Sequence, residues 1–264
     1  MKAIFLDIDG VLQPKNSQVR FEHIKEVPSL AKELTAKLDN GFDYYEALGD
    51  CGIRGLVPNF DYDIAAVYWD WNPDAVSFLH QVIEETGAKI VLSTDWRERG
   101  NEVMKALLDI HDFGKYLYGS TYFTAEFAAE NIKKEFDYEE LSQMHQDWAK
   151  QMRKLCDAFG QIYPTEGSGW GQRSFDFRSA EIWEYLDRHQ EITDYVVIDD
   201  RDLRIGLEKH FVLSKDGYIH EKEAEAMLQA LSLADGPYSL PEEFKDEEFV
   251  AWREKWIFNS NYYY

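Results

Sequence analysis

A chain of 264 residues, 45% hydrophobic and 15% aromatic, can bury a full core, which argues against disorder throughout. Lysine and arginine number 28 against 50 aspartates and glutamates, and the net charge of −22 disfavours extended contact with a polyphosphate backbone. Cys51 and Cys156 have no CxxC neighbour, so a disulfide scaffold is not expected and a cytoplasmic setting is. The first apolar run meets Asp7 too early for a signal peptide, and no run approaches the ~18 apolar residues of a membrane span.

Residues 3–6 are apolar, short and closed by Asp7, which predicts a buried strand. Val76, Leu79, Val82 and Ile83 have helical spacing, and Gly87 stops that helix. Residues 89–92 form a second strand, and a helix is expected from about Trp96 to Leu108 with Asp95 as its cap. Tyr116 to Phe123 is a candidate third strand. Ser179 to His189 is a helix with Ile182, Tyr185 and Leu186 on one side. Residues 195–198 form a fourth strand ending at Asp199, His210 to Leu213 a fifth, and Glu221 to Leu233 a late helix.

Strands alternating with helices predict an α/β fold with a parallel sheet. Two stretches break the rhythm and are too long for ordinary loops, residues 13–71 and 125–175. Both contain helix-like text, Ile24–Leu38 in the first and Leu141–Phe159 in the second. They are expected to be insertions able to cover a site, with 1–12, 72–124 and 176–240 as the core. Gly167 to Gly171 has the composition of a joint, and residues 241–264 form an aromatic-rich C-terminal arm.

The chemistry lies at strand ends. Asp7, Ser93 and the pair Asp199-Asp200 each follow an apolar run, and open α/β sheets bind ligands beyond the carboxyl ends of their strands. In Asp7-Ile8-Asp9-Gly10 one carboxylate can attack phosphorus, and a second can move the proton of the leaving oxygen or of water. Gly10 permits the tight bend after them. Glycine at the fourth position, with Val11 after it, rules out a calcium-binding EF-hand loop. In Ser93-Thr94-Asp95 a hydroxyl before a helix can donate to a phosphate oxygen or merely cap the helix. The adjacent acids Asp199 and Asp200 repel each other unless a cation is near, and with Asp7 and Asp9 they make a cradle suited to Mg²⁺. Arg178 can offset charge between nucleophile and phosphate, with Lys209, Arg201 and Arg204 as rivals. The seven histidines show no metal-ligand spacing, and the Gly-rich stretch at 167–171 lacks the Lys-Ser/Thr of a P-loop.

With these residues in view, the sequence resembles the haloacid dehalogenase (HAD) superfamily. Asp7-Ile8-Asp9-Gly10-Val11 resembles its first motif, Ser93 its second, and Asp199-Asp200 its fourth; Arg178 falls near the third, where the family usually has lysine. Ser93-Thr94-Asp95-Trp96-Arg97 and Arg178-Ser179-Ala180-Glu181-Ile182 are similar to text in the HAD domains of Swiss Army Knife RNA-repair proteins. The resemblance implies a Rossmann-like sheet flanked by helices, with caps where the two long stretches lie. It implies that Asp7 is the nucleophile and a magnesium ligand, and that Asp9 is the acid/base and offers its backbone carbonyl to the metal. Ser93, or less readily Thr94, would bind phosphate together with Arg178. Asp199 and Asp200 would hold Mg²⁺.

The expected activity is Mg²⁺-dependent hydrolysis of a phosphomonoester, on a small phosphorylated metabolite or nucleotide. Two alternatives remain at this point: an end-processing phosphatase acting on nucleic acid, and a HAD-fold binding or regulatory module without turnover.

Overall fold

The computed structural model describes residues 1–49, 59–121, 177–204, 206–239 and 247. Five parallel strands form one sheet in the order β3-β2-β1-β4-β5, with β1 at Lys2–Leu6, β2 at Lys89–Leu92, β3 at Leu117–Ser120, β4 at Asp194–Asp199 and β5 at Phe211–Leu213. The α/β class and the parallel sheet flanked by helices agree with the sequence reading. β1 is central because Ala3, Ile4, Phe5 and Leu6 are all fully buried, as a parallel strand covered on both faces requires.

Among the described residues the helices are α1 (Arg20–His23), α2 (Val27–Lys37), α3 (Tyr44–Gly49), α4 (Phe60–Ala65), α5 (Pro73–Thr86), α6 (Asn101–Asp109), α7 (Phe177–Arg188) and α8 (Glu221–Ala230). α5 starts where Asn72 accepts from the backbone N–H groups of Asp74 and Ala75 at 2.9 and 3.1 Å, and it ends at Gly87 with φ +67°. Its face of Ala75, Leu79, Val82 and Ile83 joins one apolar cluster with Ile4, Leu6, Ile90, Leu92, Val196 and Ile198 of the sheet and Ala224 and Met227 of α8. Among the described residues no helix is long and apolar enough to cross a membrane.

The single helix expected from Trp96 to Leu108 is two elements. A 3-10 turn spans Asp95–Arg99, capped by Thr94 rather than by Asp95, and α6 begins only at Asn101. Gly100, at φ +79° and ψ 155°, is the break: no helix passes through that backbone conformation. Likewise the first stretch carries a 3-10 turn at Ile24–Glu26 before α2, not one helix over Ile24–Leu38.

The chain divides into two compact units. The first holds the sheet, α1 to α6 and α8. Residues 13–49 and 59–71 belong to it, and Val27, Leu30, Ala31 and Leu34 of α2 join the same apolar cluster as the strands. α7 belongs to the second unit, where Ile182, Trp183, Tyr185 and Leu186 are buried and Gly206 lies so close to the Trp183 indole that a Cβ would meet it at 2.9 Å. The helix-like text at 141–159, the Gly-rich stretch at 167–171 and the aromatic run from 249 to 264 lie outside the described residues.

Burial holds the His111 imidazole below its ordinary value, although its Nε2 donates to the Val67 carbonyl at 2.8 Å. Its ring also stacks on Trp71 at 5.3 Å. Below the ordinary histidine value of 6.5 the unfolded chain binds a proton that the folded one refuses, so stability falls as pH drops through that range. Thermal melts between pH 8 and pH 5 should show this loss, and His111→Gln should flatten it.

Candidate active site

The sheet register sets the site. Leu6 of β1 is level with Leu92 of β2 and Ile198 of β4, and Asp199 is level with Leu213 of β5. The next residue of each strand therefore emerges at one edge. Three backbone hydrogen bonds extend the ladder to that edge: Ser93 N–H to Leu6 C=O at 2.9 Å, Asp7 N–H to Ile198 C=O at 3.1 Å, and Ser214 N–H to Asp199 C=O at 2.9 Å.

Asp7, Asp199 and Asp200 each bring a carboxylate oxygen within 4.8 Å of the others. Asp7 and Asp199 are almost wholly buried. Three carboxylates this close, out of water, repel unless a cation is present. Lys15 supplies part of that charge through an ion pair from its Nζ to Asp200 Oδ2. Arg201 N–H donates to Asp199 Oδ1 at 2.7 Å, which fixes that carboxylate's rotamer. The donor set is all oxygen and anionic, which fits Mg²⁺, a hard cation that prefers carboxylates.

Ser93 is 1% exposed, and its hydroxyl has no hydrogen-bond partner among the described residues. A buried unsatisfied hydroxyl costs about 1–3 kcal/mol, so a ligand oxygen is its natural complement. Thr94 is spent differently: its Oγ1 faces the Trp96 N–H at 3.5 Å as the cap of the turn, and its carbonyl accepts from Arg97 Nη1 at 2.8 Å. The geometry thus separates two hydroxyls that the sequence left as alternatives.

Asp9 stands apart from the acid cluster. Its side chain is exposed, yet both carboxylate oxygens accept hydrogen bonds, Oδ1 from Gln13 Nε2 at 3.1 Å and Oδ2 from Trp96 Nε1 at 2.9 Å. The turn that places it closes with Gly10 N–H on the Gln13 carbonyl at 2.7 Å, and Ser214 Oγ donates to the Gly10 carbonyl at 2.7 Å. Gly10 has φ +79° and lies against Asp200. Arg178 is buried in the first turn of α7, in the second unit. Of the rivals considered for its role, the Arg201 side chain pairs with Asp95 at 3.8 Å and Lys209 with Asp235 at 3.5 Å.

Lys15, Gln13, Trp96 and Ser214 are site residues that sequence reasoning did not single out. Trp96 stood in the text that carries the family resemblance, and that was the one available signal.

Over residues 3–219 the sequence matches the family described as the HAD domain in Swiss Army Knife RNA repair proteins. The chain belongs to this family. No curated protein and no solved structure matches it. As a HAD domain, the chain falls among proteins that are generally hydrolases of the phosphatase type. Along the chain Asp7 and Asp9 follow β1, Ser93 follows β2, and Asp199 closes β4 with Asp200 next to it.

Proposed function

We propose that this HAD domain is a Mg²⁺-dependent phosphomonoester hydrolase that works through an aspartyl-phosphate on Asp7, with a small phosphorylated metabolite or nucleotide as substrate. The observation that carries the reading is one edge of the sheet where Asp7, Asp199 and Asp200 converge beside β2 and its buried Ser93 hydroxyl, which has no hydrogen-bond partner among the described residues.

In the first step a carboxylate oxygen of Asp7 attacks phosphorus, and the bond from phosphorus to the ester oxygen breaks. Asp9 gives its proton to that departing oxygen. In the second step Asp9 takes a proton from water, which attacks the same phosphorus. The bond to Asp7 breaks, and inorganic phosphate leaves. Trp96 and Gln13, by holding both oxygens of Asp9, keep the acid/base at one place between the two steps. Ser93 donates to a phosphoryl oxygen, and the family resemblance gives the cationic role of the third motif to Arg178. Asp7, Asp199 and Asp200, with the Asp9 backbone carbonyl, would hold Mg²⁺, which when bound offsets charge between carboxylate and phosphate.

The family description, with its RNA repair proteins, favours a second reading: an end-processing phosphatase on nucleic acid. The net charge of −22 weighs against it for this chain acting alone.

The test is hydrolysis of a panel of phosphate esters, with Mg²⁺ and with chelator: sugar phosphates, nucleotides and 3′-phosphorylated oligonucleotides. Turnover is expected with Mg²⁺ and should be lost with chelator. Folded protein that hydrolyses none of them would overturn the proposal, and turnover confined to the oligonucleotides would favour the second reading.

A further inference from the structure

Beside Asp9 lies a cleft of about 640 Å³. Clefts of about 300–1,000 Å³ hold ligands of the size of one nucleotide. Asp9, Gln13 and Trp96 line one part of it, and Phe21, Asn59 and Tyr62, from the segment between β1 and α5, line another. The leaving group of the ester is the part of a substrate that must lie on the Asp9 side, since Asp9 protonates it.

The chemistry of this wall is specific. Phe21 and Tyr62 remain 50% and 40% exposed, although their rings meet edge-on at 5.8 Å. Two large exposed aromatics on a cleft offer π-faces and apolar edges to a flat ring. Phe21 is held in place: Arg20 has its guanidinium 5.2 Å over the Phe21 ring and is tied to the buried Asp70 at 3.2 Å, while Ser17 Oγ and Arg20 N–H donate to the same carboxylate at 3.1 and 3.0 Å. Asn59 adopts φ +85° and caps the helix that follows it with its backbone carbonyl alone, so its side-chain amide can both donate and accept. Gln13 is 6% exposed; with Nε2 given to Asp9, its Oε1 is buried without a hydrogen-bond partner among the described residues. That atom is an acceptor in want of a hydroxyl or N–H, beside the acid.

We infer that the cleft is the leaving-group subsite and that the leaving group is a nucleoside. The substrate is a nucleoside monophosphate, with its phosphate at Asp7 and Ser93, a sugar hydroxyl toward Gln13 Oε1, and its base against Phe21 and Tyr62. This deepens the phosphatase reading and rests on it. A single nucleotide fits better than a strand. The two arginines on the cleft are committed to carboxylates, Arg20 to Asp70 and Arg99 to Asp63 through two 2.7 Å bonds, which leaves them poorly placed to take up trailing phosphates.

The experiment compares kcat/KM for the four nucleoside 5′-monophosphates, glycerol phosphate and a 3′-phosphorylated oligonucleotide in the full chain with Mg²⁺, for wild type, Phe21→Ala, Tyr62→Ala and the bulk-preserving Phe21→Leu. Adenosine binding to each, followed by tryptophan fluorescence, is measured alongside. Nucleoside monophosphates should be preferred over glycerol phosphate by about tenfold or more, the scale of base stacking on aromatics. Phe21→Ala and Tyr62→Ala should erase the preference through KM and weaken adenosine binding. Equal use of glycerol phosphate, a ratio unmoved by the variants, or preference for the oligonucleotide would overturn the subsite and leave the phosphatase standing. If no ester is turned over, adenosine binding that Phe21→Ala weakens would support the subsite while the phosphatase reading falls. Absence of both turnover and adenosine binding would overturn both.

Discussion

Asp7→Asn is expected to lower phosphate-ester hydrolysis by about 10⁴-fold or more while the protein stays folded. The amide differs from the carboxylate by one group and fits the same space, but it has no anionic oxygen to attack phosphorus. Asp7 is held through its backbone N–H on the Ile198 carbonyl, a bond the substitution leaves in place. Its carboxylate lies with those of Asp199 and Asp200 inside a 4.8 Å cluster, so neutralising it removes repulsion. Thermal melts without added metal should therefore show Asp7→Asn at least as stable as the wild type, even as turnover vanishes. A parallel loss of turnover and stability would mean that Asp7 is a structural residue.

Gly10→Ala should also disable the site, by about 10²-fold, through position rather than chemistry. At φ +79° a side chain is already strained, by roughly 1–2 kcal/mol. The added methyl would stand 2.8 Å from Cβ and Cγ of Asp200 and 2.5 Å from its Oδ2. Carbon atoms sit comfortably at about 3.5–4.0 Å, so Asp200 or the turn must move by about 1 Å. Neither is free to do so without cost. Asp200 is an arm of the acid cluster and the partner of Lys15, and the turn is pinned by Ser214 Oγ and by the Gln13 carbonyl. The expected signature is a raised Mg²⁺ requirement with reduced kcat, read from metal titrations of initial rates. A variant with wild-type metal dependence would show that Asp200 has no part in holding the ion.

The parts of the site that were legible in the sequence are those set by local pattern. An apolar run ended by a polar residue marks a buried parallel strand and its carboxyl end together. Asp7, Ser93, Asp199 and Asp200 could therefore be assigned to one edge before their register was known. What stayed hidden depends on long-range closure. The Trp96 indole meets Asp9 across 87 positions, and Ser214 meets Gly10 across 204, and no periodicity encodes either contact. Lys15 reads as an ordinary surface lysine until the turn after β1 carries it to Asp200. The helix expected through Trp96 to Leu108 failed for a local reason: its apolar spacing was real, but Gly100 adopts a backbone that ends one element and starts the next. Thr94 and Ser93 carry the same functional group in adjacent positions, and only the bonds around them separate a cap from a donor with no partner among the described residues.

The central claim is that Asp7 carries the phosphoryl group, and the most direct test is to trap it. The full chain with Mg²⁺ would be mixed with the best ester of the panel, quenched in acid within a single turnover, digested and mapped by mass spectrometry. The account predicts one phosphoryl group on the peptide containing Asp7, absent from Asp7→Asn and released as inorganic phosphate when the wild-type reaction is allowed to proceed. Steady hydrolysis with the phosphoryl group on another residue, or with none on the protein at any time, would contradict it.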